Sequence, residues 1–184
     1  MEKKEWRILR REGGQDLRLF RSYFEWLVNP RNDETIKITL LDGPDSANVV
    51  ATTPDRKLVA IRQYRFGIHD YTVEVPGGLF DPGEPGQTAA ARELREETGY
   101  SGEQWRYLGK IPANPVFQTG YIYHYLLTDA RLTHQPEPDP AEDIEIVLLP
   151  LDEVREGLAQ GAFANGHTVN ALIMAMPFLE RPDS

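Results

Sequence analysis

Four glutamates and two arginines crowd one short stretch. It runs Gly78-Leu79-Phe80-Asp81-Pro82-Gly83-Glu84 and, after seven residues, continues as Arg92-Glu93-Leu94-Arg95-Glu96-Glu97-Thr98-Gly99. Carboxylate oxygens at this density suit a hard divalent cation. The spacing predicts a loop and then a helix, with Pro85 in the first turn and Gly99 just past the end. On that helix Glu93 and Glu97 lie one turn apart on the same side, and Glu96 lies three residues from Glu93. Like charges so placed repel each other, and a bound cation would remove the conflict. A solvated acidic helix face is the bland alternative, and the helical wheel argues against it. At about 100° per residue, Glu97 projects close to Ala90 and Glu93 only slightly further round. Ala90 and Leu94 are the natural core contacts, while Arg92, Arg95 and Glu96 point more outward. Two acids therefore border the apolar stripe, as they would in the wall of a cleft.

The elements that must position this helix are mostly strands. Residues 5 to 28 carry Trp6, Ile8, Leu17, Leu19, Phe20, Tyr23, Phe24 and Trp26, and read as a hairpin broken by the turn signal Gly13-Gly14. Ile36, Ile38 and Leu40 alternate with Thr35, Lys37 and Thr39 in a half-buried strand. Further strands are expected at 49–52, 58–65, 71–75, 105–108, 120–127 and 144–149. Residues 130–143, with His134, Gln135, Pro136, Pro138 and Pro140, are too polar and proline-rich for the core, and loops of that length are often functional. Leu151, Val154 and Leu158 mark a short helix ended by Gly161. Val169, Leu172, Ile173 and Met176 mark a second, stopped near Pro177. Strands first, then strands interspersed with helices, indicate a mixed α/β fold.

The 184 residues suit one domain, or a domain with an arm. A net charge of −9 argues against a general nucleic-acid binder, which needs a basic surface. It leaves room for a nucleotide in a local cationic or metal-filled pocket. Without cysteine there is no disulfide framework, thiol nucleophile or zinc-thiolate site. No apolar run approaches the roughly 18 residues of a membrane span, and Met1-Glu2-Lys3-Lys4 leads into no apolar signal segment. The expected location is cytoplasmic, with no membrane partner.

The stretch from Gly78 to Tyr100 resembles the signature box of the Nudix hydrolases in its glycine, first glutamate, Arg-Glu pair, Glu-Glu pair and closing glycine. Only Tyr100 departs, at a packing position where a bulky aliphatic is usual. The resemblance implies an α/β/α sandwich with a mixed sheet over residues 45–184. Residues 1–44 would be an added antiparallel β arm used for dimerisation. It also implies Glu93 and Glu97 as ligands of magnesium or manganese, Glu96 as ligand of a further ion, and the Gly77 carbonyl as another donor. Glu84 would tie the loop to the helix, and Arg92 would pair with a box glutamate to orient it.

Two features outside the box resemble the ADP-ribose and nucleoside-diphosphate-sugar pyrophosphatases of that family. One is Pro115, sixteen residues past Gly99. The other is Arg62-Gln63-Tyr64-Arg65 followed by Val73-Glu74-Val75-Pro76-Gly77-Gly78. By that resemblance Arg65 meets the substrate diphosphate and Glu74 lies near the metals, bidentate phosphate contact being well suited to arginine. The same subgroup takes its general base from a mobile loop after the box. Among Glu137, Asp139, Glu142 and Asp143, Glu142 stands best, leading directly into the next strand, and Glu137 is the reserve. Tyr23, Phe24 and Trp26 would serve core or dimer packing, or stack a nucleobase across a homodimer.

The reading is a magnesium-dependent pyrophosphatase that splits ADP-ribose or a nucleoside diphosphate sugar into a nucleoside monophosphate and a sugar phosphate. The alternatives are a nucleoside triphosphate or dinucleoside polyphosphate hydrolase, and a catalytically silent ligand sensor of the same fold.

Overall fold

The computed structural model describes residues 5–140 and 142–179. The chain divides into two compact units, residues 1–45 with 112–121 and residues 46–111 with 122–184.

In the first unit β1 (Arg7–Asp16), β2 (Arg21–Val28) and β3 (Thr35–Asp42) form an antiparallel sheet in the order β1-β2-β3. The expected hairpin forms, but its turn is not at Gly13-Gly14. Both glycines lie inside β1. The chain reverses after Asp16, where Arg18 adopts a left-handed φ of 66° and donates its N–H to Asp16 Oδ1 at 2.9 Å. Gly14 answers a different need. A Cβ there would stand 2.4 Å from Ser22 Oγ, at a shift of register between β1 and β2, and strand glycines commonly mark such close approaches. The aromatic rings of β2 are covered by cations. Arg10 lies 3.5 Å from the centre of Trp26, Lys37 lies 4.1 Å from Phe24, and Arg11 lies 4.7 Å from Tyr23. The segment 112–121 joins this unit through Leu41 N–H to Phe117 O (2.7 Å).

The second unit is built on a seven-stranded mixed sheet. Its strands are β4 (Ser46–Thr52), β5 (Lys57–Arg65), β6 (Asp70–Glu74), β7 (Gly77–Leu79), β9 (Gln104–Pro112), β10 (Tyr121–Thr128) and β12 (Ile144–Pro150). The order is β12-β5-β4-β10-β9, with β6 on β5 and β7 on β4. β8 (Tyr100–Ser101) and β11 (Arg131–Leu132) make a separate two-stranded ribbon. β4 runs parallel to β10 and antiparallel to β5 and β7.

Strand side chains alternate in direction, and each face of this sheet is covered. Ala47, Val49, Ala51, Val59 and Leu127 pack with Ala89, Ala90 and Leu94 of α1 (Gly86–Thr98). Val50, Leu58, Ala60 and Leu126 pack with Leu151 and Val154 of α2 (Leu151–Gln160) and Ala171, Leu172 and Ala175 of α3 (Gly166–Leu179). This is the expected α/β/α sandwich, and the N-terminal antiparallel sheet is present beside it in the chain.

The C-terminal end of α1 falls where the sequence places it, since Gly99, at φ 74°, closes the helix by donating its N–H to Arg95 O (2.8 Å). Pro85 stands just before the helix as its extended N-cap residue and not in the first turn. Pro177 does not stop α3, which continues to Leu179. A proline in the last turn removes one helical hydrogen bond, from the carbonyl of Ile173, a residue that is well exposed.

Candidate active site

The site begins where α1 meets β7. Pairing Gly77 with Asn48 and Gly78 with Ala47 brings β7 against β4, and both glycines are needed for the fit. A Cβ on Gly77 would lie 2.2 Å from Ala47 O, and one on Gly78 would lie 2.4 Å from Glu93 Oε1. The Glu93 carboxylate therefore rests directly over Gly78. Gly77 N–H donates to Glu97 Oε2 at 2.8 Å. The two acids placed by the wheel are thus held against the first glycine of the box, Gly78, and the glycine before it, Gly77. Glu97 is 3% exposed. Burial holds its carboxyl well above the usual range, against the Gly77 hydrogen bond, and the charges of Glu93 and Glu142 push it further in the same direction. Burial also raises Glu93, opposed by Arg92.

Arg92 does not point outward as the wheel suggests. Its side chain is 22% exposed and spans the loop and the helix. Nε and Nη2 donate to the two carboxylate oxygens of Glu84 (3.1 and 3.0 Å), and Nη2 also donates to Leu79 O (2.9 Å). Nη1 donates to Glu93 Oε1 (2.7 Å) and Glu96 Oε2 (3.2 Å). Glu84 Oε2 in turn accepts from Asp81 N–H (3.0 Å). The loop folds back over the helix, which closes round an arginine the wheel could only place by angle. Glu96, on the more open side, is shared between Arg92 and Arg95.

A second cluster stands at the ends of β5 and β6. Arg65 Nε and Nη2 form a fork with Glu74 Oε1 and Oε2, both at 2.6 Å. Glu74 is buried and also accepts from Thr72 Oγ1 and from Asn165 Nδ2 (2.6 Å). Arg65 lines a cavity of about 470 Å³ together with Gln63, Tyr64, Phe66, Tyr71, Asp139, Glu142 and Asp143. The Glu74 hydrogen bonds hold the Arg65 guanidinium above its usual range, and the charges of Glu74, Glu97 and Glu142 act in the same direction.

The loop that carries Glu142 is tied to the end of α1. Thr133 and His134 donate their N–H groups to Gly99 O (3.0 and 3.1 Å), and Glu137 donates its N–H to Glu96 O (2.7 Å). Glu142 closes its own turn by accepting from Asp139 N–H at 3.0 Å. Glu142 lines the cavity, whereas Glu137 is exposed and lies outside that lining. Pro115 is exposed in a turn of the other unit, where Asn114 Oδ1 accepts from Val116 N–H (3.1 Å). Tyr23, Phe24 and Trp26 also belong to that unit.

Sequence reasoning passed over Thr72, Asn165 and the buried pair Asn48–His124, joined at 2.6 Å. Asn165 was open to detection, because an asparagine just before a helical pattern signals an N-cap. The others show no motif.

The donor set fits a divalent cation. Glu97 is a nearly buried carboxylate with, among the described residues, a single hydrogen-bond donor upon it, and Glu93 is held one turn away with its oxygens over Gly78. Hard oxygen donors of this kind suit magnesium or manganese. Among the described residues no three acids or histidines converge into a closed metal cage, so other oxygens would complete the shell. Magnesium commonly takes these from water and substrate phosphates.

A carboxylate-bearing helix against a double glycine, within an α/β/α sandwich, defines the class. The NUDIX domain family model matches residues 43–171, and the chain belongs to this family as a Nudix hydrolase. It is 30% identical over 142 residues to the methanol dehydrogenase activator of Bacillus methanolicus, covering 77% of each chain. It is 29% identical over 166 residues to the ADP-sugar pyrophosphatase of Mus musculus, covering 84% of this chain and 76% of that one. A crystal structure of an ADP compounds hydrolase matches it with a TM-score of 0.85 at 25% identity, over 98% of this chain and 97% of that one. Among the described residues no helix is long and apolar enough to cross a membrane.

Proposed function

We propose that this enzyme hydrolyses the pyrophosphate bond of ADP-ribose or a related nucleoside diphosphate sugar, giving a nucleoside monophosphate and a sugar phosphate. The observation that carries the reading is that Arg65, forked onto Glu74, and Glu142 line one cavity, while Glu93 and Glu97 of α1 are held against Gly78 and Gly77. The similarity to an ADP-sugar pyrophosphatase and an ADP compounds hydrolase supports the substrate class.

Glu93, Glu97 and the Gly77 carbonyl would hold magnesium or manganese, with Glu96 for a further ion. A metal held there would supply charge to neutralise phosphate oxygens and to acidify a water. Arg92 keeps Glu93 and Glu96 in place while Glu84 anchors it. Arg65 presents its free guanidinium edge to the diphosphate, and Glu74 keeps that edge in one orientation. Glu142 accepts the proton of the attacking water. One new O–P bond forms, the anhydride P–O bond breaks, and the departing phosphate leaves as an anion. Pro115 is assigned to the substrate side by resemblance alone.

The N-terminal arm, proposed as a domain of residues 1–44 apart from a hydrolase domain of residues 45–184, is assigned to a homodimer interface. Support comes from its exposed apolar residues Trp6, Ile8, Leu9, Leu17 and Leu19. The cysteine-free composition supports a cytoplasmic location.

The deciding experiment is a panel of nucleotides, ADP-ribose and GDP-mannose included, incubated with protein and magnesium and assayed for released monophosphate. Release from ADP-ribose or another diphosphate sugar is expected. Turnover of triphosphates or dinucleoside polyphosphates alone would overturn the substrate assignment, and binding without turnover would overturn the enzyme.

A further inference from the structure

The first turn of α3 does more than begin a helix. Asn165 precedes Gly166, and its Oδ1 accepts from His167 N–H (2.9 Å) and Thr168 N–H (3.3 Å), the N2 and N3 donors that a helix leaves orphaned. Its Nδ2 donates to Glu74 Oε2 at 2.6 Å. Only one orientation of the amide serves both ends, since backbone N–H groups need the oxygen and a carboxylate needs the nitrogen.

Glu74 is correspondingly saturated. Oε1 receives Arg65 Nε and Thr72 Oγ1, and Oε2 receives Arg65 Nη2 and Asn165 Nδ2. Arg65 Nη1 makes no hydrogen bond among the described residues, and Arg65 lines the cavity. The guanidinium is therefore gripped along one edge, with Nη1 outside the grip, and the grip is only as fixed as the carboxylate behind it. A second bond from the same turn reaches the next residue, because Val75 N–H donates to Thr168 Oγ1 (3.2 Å).

We infer that Asn165 is a positioning residue that acts through Glu74 to fix the orientation of the Arg65 guanidinium toward the substrate diphosphate. The inference rests on the proposed role of Arg65 and adds a residue outside the box, whose sequence signal is that of a helix cap alone. An arginine side chain carries large rotamer entropy, and loss of that freedom before binding lowers the cost of binding. Asn165 therefore governs affinity more than the chemical step.

The test separates the two ends of the amide. Asn165→Ser keeps an oxygen to cap α3 and removes the donor to Glu74, whereas Asn165→Ala removes both. The ¹H–¹⁵N signal of Arg65 Nε–H, assigned by its disappearance in Arg65→Lys, reports the fork without any substrate. In Asn165→Ser its exchange with water should speed by about tenfold, the loss expected of one hydrogen bond to a charged group. Thermal stability should fall by about the worth of that one hydrogen bond, and further in Asn165→Ala, which also loses the cap. With magnesium and ADP-ribose, KM should rise roughly five- to tenfold and kcat should change much less. In a Glu74→Gln background Asn165→Ser should add no further rise in KM, because the path runs through that carboxylate. Wild-type exchange and wild-type KM in Asn165→Ser would overturn the inference and leave a plain helix cap. A wild type inactive on ADP-ribose would instead remove the functional reading, with the exchange measurement still deciding the role of Asn165.

Discussion

Replacing Arg92 by methionine removes the guanidinium and keeps an apolar stem, so it isolates the charge and the hydrogen bonds. Five bonds are lost, two to Glu84 and one each to Glu93, Glu96 and Leu79 O. The side chains of Glu84 and Glu93 are 10% and 15% exposed, and that of Glu96 is 35% exposed. Stranding one partner of a buried pair costs about 3–5 kcal/mol, whereas an exposed pair is worth about 0–1. With two carboxylates near the buried limit and one near the exposed limit, the expected loss is about 3 kcal/mol. For a chain of this size that lowers Tm by roughly 6–12 °C. The assay is thermal unfolding by far-UV circular dichroism in EDTA, repeated with magnesium, which should narrow the gap by supplying counter-charge to Glu93. Arg92→Lys restores a charge but not the planar fork, and should recover less than half of the loss. An Arg92→Met protein that unfolds within about 2 °C of the wild type in EDTA would refute the reasoning, because the carboxylates would then not depend on the guanidinium.

Three further expectations concern protons. Glu142→Gln should lower kcat by about 10²-fold or more while ADP-ribose and metal still bind; an unaffected rate would move the base to Glu137 or elsewhere. In EDTA the raised carboxyls of Glu93 and Glu97 keep their protons to higher pH in the folded protein than in the unfolded chain. Their stabilisation is complete below the ordinary carboxylate range and is lost as pH rises through the raised values. The Tm of Glu97→Gln should therefore decline less steeply between pH 5 and 8 than that of the wild type, and equal slopes would contradict the burial argument. His124 is fully buried and its pKa is pushed down to about 4, first by burial and then by the charge of His167. Its contribution, present above the unfolded value, is lost as pH falls from about 6.5 to 4, and amounts to about 3 kcal/mol. Its imidazole should remain neutral by NMR at pH 5, and a protonated ring there would count against the buried placement.

Much of α1 was legible in the sequence because its determinants are local. Pro85 and Gly99 mark its ends through backbone constraints, and the 3.6-residue period places Glu93 and Glu97 beside Ala90. Arg92 was misplaced because a wheel knows only the helix, and the Glu84 loop that covers this residue arrives from outside it. β7 escaped notice because three residues give no period, and its pairing with β4 depends on Gly77 and Gly78 fitting beneath other chain. Gly13-Gly14 reads as a turn by composition, yet Gly14 serves the close approach of Ser22. Asn165 stands far from Glu74 in the chain, and only the fold brings the two to hydrogen-bond distance.

The most direct measurement is release of AMP from ADP-ribose by the wild type and by Glu97→Gln, each with magnesium and each verified as folded. The account predicts AMP and a sugar phosphate from the wild type and at least a hundredfold loss in the variant. Near-normal release by folded Glu97→Gln would contradict it.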